Sequence, residues 1–400
     1  MIRSILALLL LVLLAACGGN GAAGDQTATQ PSAAASVAAA YVAATSSAEQ
    51  TTIAPSAAAS EATASEAATA TGAEAANTLT IMSHDSFNLS EDVVAEFEQA
   101  NNVKIQFLKA GDTGAALNRA LLTKANPLAD VFFGVDNTFL SRALDADAFE
   151  TYAPQGLDQI PVELKLDPQN RLIPIDYGFV NLNYDKASGL FKNMADPENM
   201  RLEDLTQPQF KGKVVVLNPA SSSPGLAFML ATVEYFGQDK WLDWWRQMRE
   251  NEVVVVDGWE TGYYTNFSGS SGKGPQSVVV SYATSPVAEV AFSEGKLQEP
   301  PTGNILPPKG SFRQIEFAGI LKGTKKLDLA QKWMDYMLSK PVQDDIMPQM
   351  VVYPALPTAT IPEVYQKFAP VPEQPAALDP QTIAQNRDAW IQEWTRTVLR

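Results

Sequence analysis

One cysteine, Cys17, and one histidine, His84, occur in the 400 residues. So small a stock of thiolate and imidazole ligands leaves no zinc site to assemble. A nucleophile–base–acid triad would have to use His84, and the adjacent Asp85 and Ser86 do not complete one, because neighbouring side chains diverge while a triad is a spatial arrangement. Basic residues are also scarce: 29 Lys and Arg stand against 45 Asp and Glu, a net charge of −16. Nucleic acid and anionic lipid both require a basic face, so neither is expected as a partner. No internal repeat is visible, and the chain has no apolar stretch long enough to span a bilayer. A phosphate loop is missing too. Gly269-Ser270-Ser271-Gly272-Lys273-Gly274 lacks the longer glycine spacing and the Ser or Thr after lysine, and a strand pattern at Val278 follows where a helix would be needed, so a hairpin or lobe-edge loop is expected.

The N-terminus has Arg3, then an apolar run from Ile5 to Leu14 that is too short to cross a membrane, and then small residues. Residues 1–16 therefore read as a secretory signal. The segment Leu14-Ala15-Ala16-Cys17 resembles the lipobox of bacterial lipoproteins, which implies that Cys17 is the first mature residue and carries lipid. The chain would then be extracytoplasmic and held to the cell membrane by lipid without a spanning helix. Residues 17–78 follow as an Ala/Ser/Thr-rich tether with five acids (Asp25, Glu49, Glu61, Glu66 and Glu74) and no Lys or Arg. With so little apolar surface to bury, this segment is expected to be disordered. As a flexible coil it reaches roughly 45 Å.

From Leu79 to Arg400 apolar runs and aromatics appear, and the length exceeds what one core usually holds, so two lobes are expected. Short apolar runs each lead into a small polar turn and then a helical pattern. Leu79–Met82 leads to His84-Asp85, Val103–Leu108 to Gly111-Asp112-Thr113, and Val131–Gly134 to Asp136. The same grammar returns at Val214–Leu217 before Ser222-Ser223, Val253–Val256 before Trp259, and Val278–Val280 before Tyr282. Strands alternating with helices predict an α/β fold with two parallel sheets. Ligands of such sheets bind beyond the strand carboxyl ends, so a cleft between the sheets is expected at these turns. Ile173–Tyr184 and Arg313–Leu321 are the expected crossings, giving lobe 1 about 79–178 and 313–400 and lobe 2 about 179–312. Ser223 is the expected cap of a helix running to Phe236, with Pro224 at its first position, and further helices are expected at about 328–339 and 380–398. Trp241, Trp244, Trp245 and Met248 fit one helix face and read as packing residues, as do Trp390 and Trp394.

Seven segments in order, His84-Asp85-Ser86-Phe87, Asp130–Asn137, Ile175-Asp176-Tyr177-Gly178, Asn218–Gly225, Gly258-Trp259, Ser281–Pro286 and Trp390–Trp394, resemble the substrate-binding lipoproteins of thiamine-type ABC importers. The likeness spans almost all of 79–400. It implies the two-lobed periplasmic-binding-protein-like fold, thiamine or a thiamine phosphate as ligand, delivery to an ABC permease driven by a separate ATPase, a monomer, no enzymatic activity and no cofactor. It implies phosphate and hydroxyethyl contacts at Asp112, Thr113, Ser222 and Ser223, and an aromatic clamp that includes Trp259 and Tyr282. Two further clamp positions fall near Ala288 and Val351, which are not aromatic here. The expected ligand-binding set is Asp85, Asp112, Thr113, Asp136, Asp176, Tyr177, Ser222, Ser223, Trp259, Tyr263 and Tyr282.

The thiazolium of thiamine has fixed positive charge, which Trp and Tyr faces attract, and aspartates can accept from an aminopyrimidine edge. Two alternatives remain at this point. Tyr263-Tyr264 with His84 and Asp112 offers oxygen-rich ligands to ferric ion, as in the related iron-binding proteins. A carboxylate-dependent hydrolase could draw on the many acids. The thiaminase I fold is similar, but that enzyme needs a cysteine nucleophile and Cys17 is assigned to the anchor.

Overall fold

Apolar runs, buried on both faces in the central strands β3, β5 and β9, form the sheet of this protein, whose computed structural model describes residues 77–271 and 274–400. The signal at 1–16, the lipid site Cys17 and the tether up to residue 76 lie outside the described residues.

Three parallel strands open the chain: β1 (Thr78–Ser83), β2 (Lys104–Lys109) and β3 (Val131–Asp136), with α1 (Glu91–Asn101) and α2 (Thr113–Leu122) between them. The short helix α3 (Leu140–Asp145) follows. The long strand β4 (Ile173–Asp185) then leads to β5 (Val214–Leu217), helices α4 (Ser223–Phe236) and α5 (Trp241–Glu250), β6 (Val254–Val256) and β7 (Val278–Tyr282). After α6 (Ser285–Ala291) come β8 (Thr302–Ile305), β9 (Phe312–Ile320), α7 (Leu327–Met337), α8 (Lys340–Met350), β10 (Tyr353–Pro354), α9 (Glu363–Phe368) and α10 (Pro380–Val398).

The strand order is β2-β1-β3-β9-β4-β7-β5-β6. Two parallel halves, β2-β1-β3 and β7-β5-β6, are joined by the antiparallel crossing strands β9 and β4. The fold is α/β with two lobes built on these halves. The two sheets expected from the sequence are therefore continuous, because β4 pairs with β9 along its first part and with β7 along its second.

Helix α4 is buried on every side from Ser223 to Val233, so it sits inside the body rather than on its surface. Its cap is Ser222, whose Oγ accepts from the Gly225 amide at 3.3 Å. The sequence places the cap one residue later; Ser223 instead occupies the first turn and donates its hydroxyl to Asp136. Trp241, Trp244, Trp245 and Met248 recur at helical spacing and are all buried, and Trp245 meets Trp394 of α10 edge-on at 5.4 Å. The glycine-rich stretch forms a helical turn at Ser268–Ser271, and Gln276 then pairs with Phe267.

Candidate ligand-binding site

The carboxyl ends of β1, β2, β6 and β7 converge on a cavity of about 210 Å³. Of the expected set, Asp85, Asp112, Thr113, Trp259, Tyr263 and Tyr282 line it.

Asp112 caps α2 and joins the two halves. Its Oδ1 accepts from the Thr113 amide at 2.7 Å and lies 3.4 Å from the Ser223 amide, while its Oδ2 accepts from the Trp259 amide at 3.1 Å. Burial pushes its carboxyl up, against the pull of the donors at Trp259 and Thr113. Close approach is possible because Gly114 lies against Ser221, donating to its carbonyl at 3.0 Å; a Cβ at Gly114 would stand 2.7 Å from that oxygen. Ser86 adds a further link, donating to Glu260 Oε1 at 3.3 Å. Asp85 is also held in place, since its Oδ1 accepts from the Gly111 amide at 2.9 Å.

The aromatic wall is built on the segment after β6. Trp259 stacks on Tyr263 with centroids 5.1 Å apart, and Tyr264 and Tyr282 meet its ring at steep angles of 78° and 69°. Its indole N–H donates to Ser281 Oγ at 2.8 Å, which fixes the ring plane. Tyr263 covers one face of Trp259. The Tyr282 hydroxyl donates to Gln314 at 3.0 Å. Ala288 and Val351, where the family resemblance implies aromatics, do border the cavity.

Five expected residues are not brought to the cavity. Asp136 is fully buried and receives the amide and hydroxyl of Thr138, at 2.9 and 2.6 Å, and the hydroxyl of Ser223. Burial raises its carboxyl to about 6. The Ser223 hydroxyl donates to Asp136, and Ser222, whose Oγ accepts at the α4 cap, bonds through its hydroxyl to Asp112, so the implied phosphate donors are already engaged inside the protein. Asp176 is buried within β4 opposite Glu316, and Tyr177 stacks on Tyr353 at 5.4 Å.

The cavity also holds residues outside the expected set: Glu260, Glu289 and Glu316, with His84 entering the expectation only through the iron alternative. His84 lies with Nε2 3.2 Å from Glu316 Oε1. Its ring fits because Gly134, at φ +102°, has no Cβ to run into it. Glu289 accepts from the Tyr263 hydroxyl at 2.8 Å, and burial raises its carboxyl to about 8. Burial and the neighbouring Glu289 push the Tyr263 phenol well above its ordinary value. For two of these acids the signal was available: Glu316 and Glu289 are glutamates inside otherwise apolar runs, Ile315-Glu316-Phe317 and Ala288-Glu289-Val290. Among the described residues, no cluster of three or more His, Cys, Asp and Glu is placed to hold a metal ion.

Comparison with known proteins agrees with this arrangement. The family model for bacterial extracellular solute-binding proteins matches residues 126–379. The chain is 30% identical over 336 residues to the thiamine-binding periplasmic protein of Salmonella typhimurium, covering 83% of this chain and 96% of that protein. It is 28% identical over 338 residues to the thiamine-binding periplasmic protein of Brucella suis, covering 83% and 95%. A solved periplasmic thiamin-binding protein superimposes with a TM-score of 0.68 at 26% identity, covering 81% of this chain and 96% of that one. A two-lobed body with a cavity at its strand ends, matched along most of its length by binding proteins, places the chain in the bacterial extracellular solute-binding protein family.

Proposed function

We propose that this solute-binding protein takes up thiamine, in preference to its phosphates, and delivers it to an ABC permease powered by a separate ATPase. The observation that carries the reading is the character of the cavity wall: Trp259, Tyr263, Tyr264 and Tyr282 stand beside Asp85, Asp112, Glu260, Glu289 and Glu316, and the described residues of the lining include neither Lys nor Arg. Such a wall suits a flat organic cation. The ring faces attract its charge and the ionised acids complement it, Glu289 apart, since its raised carboxyl keeps a proton at neutral pH. A phosphate would face these acids with no Lys or Arg among the described lining residues, and the hydroxyls of Ser222 and Ser223 are already engaged by Asp112 and Asp136. The name shared by the similar proteins supports the same ligand.

Ferric ion is the second reading, favoured by the tyrosine pair and the acids. It is weaker because Tyr263 donates to Glu289 and its phenol is pushed away from the tyrosinate form. Titration calorimetry of the ligand-free protein with thiamine and with its mono- and diphosphate tests the proposal. Thiamine is expected to bind tightest; a clear preference for a phosphate would overturn the assignment. Membrane tethering through lipid at Cys17, and action as a monomer, are parts of the same proposal.

A further inference from the structure

Three carboxyl groups stand in a row across the crossing strands at the base of the cavity. Glu316 of β9 is the register partner of Asp136 on β3 and of Asp176 on β4. All three are buried, and Glu316 alone of the three borders the cavity. Residues directly opposite across a ladder lie on one face of the sheet, so these like charges confront one another.

Their partners differ. Asp136 is supplied with donors by Thr138, Phe139 and Ser223, and the guanidinium of Arg387, packed on the Phe139 ring at 4.6 Å, adds positive charge nearby. Glu316 has His84 at 3.2 Å. Asp176 has neither: no amide or hydroxyl reaches its two buried oxygens, and the group it meets is the carboxyl of Glu316. Two like carboxyl groups facing each other in a buried place cannot both ionise without a large cost, so one of them keeps its proton. Burial and Glu316 push the carboxyl of Asp176 well above its ordinary range, in keeping with a retained proton. The other charged or titratable neighbours are Asp112 and Tyr282 beside the row, and Asp85, Glu260 and Lys109 around His84. Lys109 stands behind the loop, where its ammonium donates to the Phe87 carbonyl.

We propose that Glu316 is the residue that selects a cationic ligand, and that entry of the cation expels the proton held by the facing carboxyls of Glu316 and Asp176. The O–H bond of the pair breaks, the proton passes to solvent, and the second carboxylate charge left behind is balanced by the ligand cation. Binding therefore exchanges a proton for an organic cation, so affinity rises with pH. A neutral ligand of the same shape gains nothing from the exchange. This inference rests on the proposed thiamine reading.

Calorimetry of the full chain with thiamine, in buffers of different ionisation enthalpy at neutral pH, counts the protons. Close to one proton released per thiamine is expected, with the association constant rising up to tenfold per pH unit. The neutral fragment 4-amino-5-hydroxymethyl-2-methylpyrimidine should release none. Asp176→Asn should still bind thiamine and lose the release, since the amide can donate to an ionised Glu316 without titrating. Glu316→Gln should weaken thiamine at least tenfold and leave the neutral fragment unchanged, which provides a second test if Asp176→Asn fails to fold. Thiamine binding with no proton release would overturn the inference alone; no thiamine binding at all would overturn the ligand assignment and the inference with it.

Discussion

Replacing Trp259 with alanine removes the ring that the account places against the ligand, and the neighbouring geometry separates that loss from general damage. The Trp259 amide, which donates to Asp112, survives the substitution, so the link between the two halves is kept. What disappears is the ring face and the indole N–H bond to Ser281. A cation held on a tryptophan face with water excluded is stabilised by about 2 kcal/mol. At about 1.4 kcal/mol per factor of ten, thiamine affinity should fall about 30-fold. Trp259→Phe keeps an aromatic face, with a weaker quadrupole and no bond to Ser281, so it should lose less, about three- to tenfold. Fluorescence or calorimetric titration of both variants, with circular dichroism to confirm folding, measures the effect. Trp241→Phe is the control, because Trp241 is buried in α5 against the core. It should lower the melting temperature and leave affinity unchanged. Trp259→Ala binding thiamine as tightly as the parent would refute the clamp.

Other outcomes follow from the same structure. Raised carboxyls make the folded state hold protons that the unfolded chain has lost: Asp136 at about 6 and Glu289 at about 8 contribute stability that is present at acid pH and lost as pH climbs through those values. The melting temperature should therefore fall between about pH 5 and pH 8, and Glu289→Gln should flatten the upper part of that fall; an unchanged slope in the variant would show that Glu289 is not its source. Val351 is a β-branched residue at φ +58°, a backbone region it occupies only under strain, and it borders the cavity. Val351→Asn should relieve about 1 kcal/mol and raise the ligand-free melting temperature by about 2 °C, to be checked by calorimetric scanning. Cys17→Ser should move the protein from the membrane fraction to the soluble one on fractionation, whereas unaltered membrane retention would count against the lipid anchor.

The lobes were legible because each strand announces itself as a short apolar run closed by a small polar turn. The crossing strands β4 and β9 were legible as well, expected at Ile173–Tyr184 and Arg313–Leu321 and found at Ile173–Asp185 and Phe312–Ile320. Their continuity with both halves was not, because pairing partners leave no mark on a single strand. The rule that ligands gather at strand ends found Asp85, Asp112, Trp259 and Tyr282. It also drew in Asp136 and the serine pair, which sit at strand ends but turn inward to serve each other and the start of α4. Glu316 escaped the same rule because it lies in the middle of β9, and only the crossing of that strand beneath the cleft brings it to the cavity. Glu289 escaped because it belongs to the helix that closes the cavity, beyond the turn where the rule looks.

Binding of thiamine to the ligand-free protein tests the central claim most directly. Titration calorimetry with thiamine, its mono- and diphosphate and ferric ion should give one saturable site, with thiamine tightest and both phosphates weaker. A folded, ligand-free protein that binds no form of thiamine, or one that binds ferric ion with the visible colour of iron-bound tyrosinate, would contradict the account.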